Sequence, residues 1–400
     1  MRLALFIYFL IEFIVSTLIE GLFNGISIGS VLLIAALGLA IVFGLMGVIN
    51  LAHGELMMLG AYTTFVVQNI FKPLGEPWFS FYIIVSIPIA FIVAAIAGLI
   101  LEKGVIQFLY GRPLETLLAT WGVSLILRQF VRSVNWLLVI CLVVFCLLFF
   151  GGMNFLKRRP NWEGIRNRAI AILLPISLAI SVITGFLISK IPALTKAWFS
   201  ARNVDVTAPA WLRGGLKVLG FQMPYARLFI IALTIICLIG VYCFLNLSTW
   251  GLKIRAVTQN REMSSCLGIP TATVDAITFA LGSGLAGVAG CAVSLLGSVG
   301  PNTGQNYIVD TFMVVVVGGV GNLLGTIVAA LGIGILNYLV GSGTLALMFS
   351  SSENFKWLVD ILLFFATSSM AKVMVFALII SFLQIKPAGL FPQKGRTAEL

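Results

Sequence analysis

Side chains able to do chemistry are sparse in this sequence. Its one histidine, His53, lies two residues before Glu55, a pairing that invites metal or proton-transfer chemistry. On a helix, positions i and i+2 point to different faces, so the two do not converge on one ion. His53 reads instead as a hydrogen-bonded histidine in a helix break. The six cysteines (Cys141, Cys146, Cys237, Cys243, Cys266 and Cys291) form no CxxC pair, and all but Cys266 fall inside or at the ends of apolar runs. They read as buried apolar thiols rather than disulfides or a metal site. No HExxH or GxxxxGK[ST] occurs, so the chain has no zinc-protease motif and no nucleotide-holding loop of its own. An enzyme is not expected, nor a bound metal or cofactor.

What remains is polarity in apolar surroundings. Two apolar segments are interrupted by clustered glycines and an asparagine: GLMGVINLAHGE, Gly44–Glu55, with Asn50, and VVGGVGNLLGT, Val316–Thr326, with Asn322. Non-helical backbone at membrane depth is tolerated only inside protein or along a wet cavity, and paired breaks in two halves point to a transport site. Asn302, Thr303, Gln305 and Asn306 lie in the GPNTGQNY turn, and Asp310 sits just inside the next apolar run. A carboxylate within the membrane is functional by default. The candidate substrate path is therefore Asn50, His53, Glu55, Asn302, Thr303, Asp310 and Asn322.

A different chemistry is concentrated in Leu247–Thr271, LSTWGLKIRAVTQNREMSSCLGIPT, where Lys253, Arg255, Arg261 and Glu262 stand between two long apolar segments. Such an island must lie outside the bilayer, where something can grip it.

The elements that position these residues follow from composition. The chain is 60% hydrophobic and 10% charged, against about 25% charged in soluble domains. Runs of about 17–25 apolar residues span a bilayer as helices, and no alternating strand pattern appears. The expected fold is all-α, a polytopic transmembrane helical bundle of about 11–12 membrane segments, with broken helices, built as one integral domain over residues 1–400. The spans read as Leu3–Ile19, Ile26–Phe43, Glu55–Phe71, Phe81–Leu101, Leu117–Val134, Trp136–Phe150, Ile170–Ser189, Leu228–Leu247, Thr273–Val299, a broken pair over Tyr307–Val340, and Leu358–Leu383. Residues 1–20 read as an N-terminal helix or signal anchor and not a cleaved signal, because Glu12 interrupts the apolar run and no small-x-small site follows. Small-residue stripes (Gly21, Gly25 and Gly29; Gly282, Ala286 and Gly290) would let helices approach closely.

The net charge of +11 sits mostly in loops, as topology signals rather than a nucleic-acid footprint. Lys157, Arg158, Arg159, Arg166 and Arg168 form one group, Lys253, Arg255 and Arg261 a second, and Lys386, Lys394 and Arg396 a third. If the broken pair over Tyr307–Val340 crosses twice, span counting puts all three on one side, hence cytoplasmic, with the C-terminus there too. The Lys190–Arg227 loop objects: Lys190, Lys196, Arg202, Arg213, Lys217 and Arg227 face Asp205 alone, and the same count places it outside.

The polar island, with Gly251, Arg255, Asn260, Arg261, Glu262 and Gly268–Pro270 in the pattern G-x-x-x-R…N-R-E…L-G-I-P, resembles the cytoplasmic coupling loop of ABC importer permeases of the branched-chain amino acid type. NGISIGS at Asn24–Ser30, GVINLAHGE at Gly47–Glu55, GRPLETLLATWGVSLIL at Gly111–Leu127 and KPAGLFPQKGR at Lys386–Arg396 are similar as well. RPLETLLATWG, NVDVTAPAWL at Asn203–Leu212 and SVGPNTGQNYIVDTFMVVVVGGVGNLLGT at Ser298–Thr326 look more like the urea-transporting branch of that family. Trp136–Lys196 is longer than the amino-acid permeases have, and residues 137–200 read as an added helical hairpin.

The resemblance implies an inner-membrane permease that works with a second homologous permease, an extracytoplasmic substrate-binding protein and two ATPase subunits that bind ATP and Mg. Residues 248–270 would be its coupling loop, Gly251, Arg255, Asn260, Arg261, Glu262 and Gly268 its ATPase-coupling residues, with Arg261 and Glu262 as docking contacts. Urea, neutral and planar, calls for acceptors and hydroxyls without strong fixed charge, which Asn50, Thr303, Asn322 and glycine-freed carbonyls supply. A branched-chain amino acid or amide permease is the alternative, and Asp310 would suit an ammonium group. An ATP-independent channel or ion-coupled carrier would also have broken helices, without needing the loop.

Overall fold

A chain surrounded by hydrocarbon has no water to bond its N–H and C=O groups, so each apolar run must close its own hydrogen bonds. The computed structural model describes residues 2–157, 162–191, 195, 198, 202–218, 221–344, 346 and 356–391, and they are mostly helical. In order come α1 (Arg2–Met46), α2 (His53–Phe71), α3 (Tyr82–Gly104), α4 (Pro113–Ser133), α5 (Trp136–Lys157), α6 (Trp162–Ile188) and α7 (Tyr225–Leu247). Then follow α8 (Thr249–Gln259), α9 (Arg261–Cys266), α10 (Thr271–Ser294), α11 (Thr303–Gly318), α12 (Leu323–Gly341), α13 (Lys356–Phe364) and α14 (Ser368–Ile385). Ahead of α7, β1 (Gly215–Val218) and β2 (Phe221–Pro224) form an antiparallel hairpin with Gly215 opposite Pro224.

The fold is an all-α polytopic bundle. Among the described residues, seven helices are long and apolar enough to cross a membrane: Thr17–Met46, Trp78–Phe108, Trp136–Lys157, Ala169–Ile188, Tyr225–Leu247, Thr271–Ser294 and Leu323–Gly341. The expected spans at 55–71 and 117–134 form α2 and α4, which are not among these seven, and two further expectations differ in how the chain is divided. The expected spans at 3–19 and 26–43 are one continuous helix, α1, because Gly21, Gly25 and Gly29 keep helical geometry and face α12. The expected span at 358–383 is two helices, because the chain turns at Phe365–Thr367 and Thr367 Oγ1 accepts from the Met370 N–H to start α14. Arg158, Arg159, Lys196, Lys394 and Arg396, counted above as topology charges, lie outside the described residues.

The chain divides into two compact units, Met1–Ser124 with Val204–Leu400, and Leu125–Asn203. In the first, α10 is the central helix, antiparallel to α1 and α3. Gly38 meets Gly282 while Val31 shares a core cluster with Val293, and Gly98 meets Ser283 while Ser86 meets Cys291. A Cβ at Gly282 would run into the Gly38 carbonyl, one at Gly287 into Ala90, and one at Gly290 into the Met57 carbonyl. The small stripe is thus what lets three helices touch α10 at backbone distance. Leu37, Ile41, Leu285, Val314 and Val315 fill the space between α1, α10 and α11.

The two ends of this unit are chemically different. At one, Ile254, Val257 and Ile269 of the 248–270 segment and Leu390 share a core cluster with Phe43 and Leu45 near the end of α1. At the other, Val204 and Val299 exchange backbone hydrogen bonds of 2.7 and 2.8 Å, and Thr207 takes bonds from Gln68 Nε2 (2.5 Å) and from Tyr82 Oη through its carbonyl (2.8 Å). Trp211 Nε1 donates to the Ser80 carbonyl there as well. Lys253, Arg255, Arg261 and Lys386 thus lie at one end, and Arg213, Lys217 and Arg227 at the other.

The second unit is organised around an antiparallel pair, α5 and α6: Ser181 Oγ donates to the Cys141 carbonyl (2.8 Å), Gly185 faces Cys141, and Gly152 faces Leu173. No residue of α5 is buried, and Leu147, Phe155 and Phe186 are about 70% exposed. That apolar surface fits contact with lipid.

Candidate functional site

The first glycine break is a built structure. Gly47 closes α1 with φ +68°, a left-handed turn that glycine adopts without strain, and its N–H bonds the Phe43 carbonyl. The chain then runs through buried Asn50 to the first turn of α2. Asn50 Oδ1 accepts from the Ala52 N–H (3.0 Å), and Leu51 N–H donates to Thr120 Oγ1 of α4 (3.2 Å). His53 Nε2 donates to the Ala35 carbonyl of α1 (3.0 Å), which puts the ring proton on Nε2. Glu55 accepts from Ser124 Oγ (3.0 Å) and is 1% exposed. Among the described residues, neither Asn50 Nδ2 nor His53 Nδ1 has a hydrogen-bond partner.

The start of α11 abuts this break, since a Cβ on Gly54 or Gly304 would strike the other's carbonyl. Thr303 Oγ1 accepts from the Gly300 N–H (2.8 Å), which closes the turn into α11, and Asn302 is exposed just before it. The second break, Gly319–Asn322, is at the other end of α11, where Gly321 meets Gly44 of α1. Asn322 caps α12 by accepting from the Leu324 and Gly325 N–H groups, and its Nδ2 donates to the Phe391 carbonyl (3.2 Å). Leu390 and Phe391 N–H groups bond the Val317 and Gly318 carbonyls at 2.8 and 3.3 Å. The KPAGLF segment therefore supplies partners for carbonyls that the end of α11 leaves open.

Asp310, midway along α11, is 3% exposed and pairs with Lys372 of α14 at 2.8 Å. Lys372 Nζ also donates to the Asn306 carbonyl (3.2 Å) and lies 5.8 Å from the Tyr307 ring centre. A cavity of about 370 Å³ opens beside this pair, with Ile28, Val31 and Leu32 as its α1 wall and Asn337 and Tyr338 across from them. Tyr338 Oη accepts from Asn24 Nδ2 (2.8 Å), and Arg227 bonds Asn24 Oδ1.

The polar loop is two short helices with side-chain caps. Ser248 Oγ accepts from the Gly251 N–H (3.0 Å) to start α8, and Asn260 Oδ1 from the Met263 N–H (2.9 Å) to start α9. Ile254 and Val257 are buried against the bundle core, while Leu252, Arg255, Glu262, Met263 and Leu267 face outward. Gly251 packs on the Phe244 and Leu245 carbonyls, so any side chain there would lift α8 away. Arg261 turns inward: it pairs with Asp275 of α10 at 2.5 Å and stacks over the Tyr110 ring at 4.9 Å. Tyr110 Oη donates to Glu102 (3.1 Å). Burial first, then the Asp275 and Glu102 carboxylates, push the Tyr110 phenol up, so it stays a protonated donor.

The structure thus gathers Asn50, His53, Glu55 and Thr303 around the meeting of α2 and α11, places Asp310 at the cavity, and sets Asn322 apart at the other end. Sequence reasoning did not single out Lys372, Asp275, Glu102, Tyr110 or Tyr338. One signal was available, a lone Lys372 inside the apolar stretch Ser368–Ile385, which is the same kind of cue that marked Asp310.

Comparison with known proteins adds a further finding. Residues 21–383 match the family described as branched-chain amino acid transport system / permease component. The chain is 24% identical over 375 residues to the high-affinity branched-chain amino acid transport system permease protein LivH of Salmonella typhimurium, covering 92% of this chain and 97% of that one. It is 23% identical to the corresponding protein BraD of Pseudomonas aeruginosa over 79% of this chain and 84% of that one. It is 24% identical to a probable branched-chain amino acid transport permease protein LivH of Methanocaldococcus jannaschii, over 78% and 77%. No solved structure matches the chain.

Proposed function

Since the chain belongs to the branched-chain amino acid transport system permease family, we propose that it is one of two permeases of an ATP-binding-cassette importer whose cargo is urea. As a transport permease it is a multi-pass inner-membrane protein and not an enzyme. Two cytoplasmic ATPases, binding ATP and Mg, would drive it, and an external binding protein would deliver the solute. The polar-loop end, with the C-terminus, would face the cytoplasm.

The observation that supports an importer most strongly is the loop itself. Caps at Ser248 and Asn260 and the Arg261–Asp275 pair hold α8 and α9 firmly on α10, while Leu252, Arg255, Glu262, Met263 and Leu267 present a mixed apolar and charged face. A rigid short helix offered to a groove on a partner transmits motion between two states. In this arrangement Glu262 and Arg255 dock, and Arg261 also braces the loop from inside.

Urea as cargo is supported by the resemblance of Asn203–Leu212 and Ser298–Thr326 to the urea-transporting branch, and by a polar lining that is mostly uncharged or internally neutralised. The names of the relatives favour a second reading, a branched-chain amino acid permease. The two are separated by ATP hydrolysis of the reconstituted complex with urea or leucine, each with its binding protein. Stimulation by urea is expected, and stimulation by leucine alone discards urea. Glu262→Lys is expected to abolish uptake in a complex that still reaches the membrane; wild-type uptake discards the docking role.

A further inference from the structure

The cavity beside α1, α11, α12 and α14 contains a buried acid with half of its carboxylate unused. Asp310 Oδ2 receives Lys372 Nζ at 2.8 Å, whereas Oδ1, in a residue 3% exposed, has no hydrogen-bond partner among the described residues. A buried acceptor without a donor is unfavourable unless something transiently supplies one. Lys372 directs one N–H to Asp310 and one to the Asn306 carbonyl, which leaves a third ammonium proton. The same cavity is walled by Ile28, Val31, Leu32 and Leu296, and its volume, about 370 Å³, exceeds that of a small solute.

We propose that this cavity is a holding site on the transport path for an uncharged carbonyl compound bearing N–H groups, urea or a small amide. One N–H of the solute is accepted by Asp310 Oδ1, and its carbonyl takes the remaining Lys372 proton. Because Asp310 and Lys372 neutralise each other, the site presents donors and acceptors without net charge. That favours a neutral solute over a free ammonium or carboxylate, each of which would have to pull the pair apart. The inference rests on the urea reading given above and assigns that reading a location.

The test uses proteoliposomes containing the complete complex, supplied with urea-loaded binding protein, with solute uptake and ATP hydrolysis measured together. Asp310→Asn turns the unused acceptor into a mixed donor and acceptor; Ile28→Trp fills the cavity from its apolar wall and leaves the ion pair intact. Both are expected to lower the urea carried per ATP hydrolysed at least tenfold. A merely structural pair would instead lose assembly or lose both activities in proportion. Unchanged urea per ATP in both variants, where the wild type carries urea, overturns the site but not the cargo. A wild type that carries leucine and not urea overturns the cargo and, with it, the neutral occupant. Failure of both variants to assemble assigns Asp310 and Ile28 to packing and also overturns the site.

Discussion

Two ion pairs in this molecule look alike in exposure and differ in use. Asp310 with Lys372 and Asp275 with Arg261 each set a carboxylate 4–5% exposed against a base 40–47% exposed. Arg261 is stacked on Tyr110, and Tyr110 is bonded to Glu102, so the guanidinium's plane and position are fixed. Lys372 is a compact ammonium beside an open cavity, with one donor in hand. A planar fork suits a strut, and a rotatable point charge suits a contact that must form and release. At the loop end the chain has built a brace; at the cavity it has left room.

That contrast can be broken, and the largest effect is expected at the brace. Arg261→Ala strands the buried Asp275. Breaking a fully buried pair costs about 3–5 kcal/mol, and less here because the guanidinium is 47% exposed. ATP-driven uptake should fall more than a hundredfold and the melting temperature of the complex should drop; uptake within threefold of wild type would show that the two pairs do not differ as argued. Next is Gly268→Val. Gly268 has φ +80° and open space around it, so the change strains only the backbone, by about 1–2 kcal/mol. Uptake is expected to fall about tenfold with little loss of membrane-inserted protein, and an unchanged rate would make the loop's shape irrelevant.

Smaller effects sharpen the comparison. Tyr110→Phe keeps the stacking surface under Arg261 and removes only the bond to Glu102, a loss of about 0.5–1.5 kcal/mol. Thermal unfolding should shift by a few degrees and uptake by two- to threefold; a loss as large as that of Arg261→Ala would move the weight of the brace from Asp275 to Glu102. The smallest change is expected for Glu115→Gln, which removes an Arg112–Glu115 pair exposed at 65% and 55%. Exposed pairs contribute about 0–1 kcal/mol, so uptake and stability should both match the wild type, and a clear loss would give that surface a partner.

Much of the architecture is legible in the residue order, because an apolar run of about 20 residues has one way to satisfy its backbone in lipid. The limits of α3, α7 and α12 follow from that rule. The continuity of α1 does not: the sequence divides it into spans at 3–19 and 26–43, yet Gly25 and Gly29 lie within one helix, with Ile335 and Ala330 of α12 packed where their side chains would be. At the site, Asp310 was conspicuous as a carboxylate among apolar neighbours. Its partner, 62 positions later, is set by how α14 packs on α11. Asn322 drew attention as a polar group in a glycine break, and the structure gives that side chain a cap to hold. Arg261 was visible as part of a polar island; its turn inward toward Asp275 depends on the angle at which α9 meets α10, which no local pattern encodes.

The Lys386–Phe391 segment also has a consequence for biosynthesis. Leu390 and Phe391 donate to the Val317 and Gly318 carbonyls, yet they leave the ribosome about 70 residues later, several seconds at roughly 5–20 residues per second. Throughout that interval the end of α11 lacks donors that its final state requires. This end of α11 is therefore closed only after α12, α13 and α14 have been made.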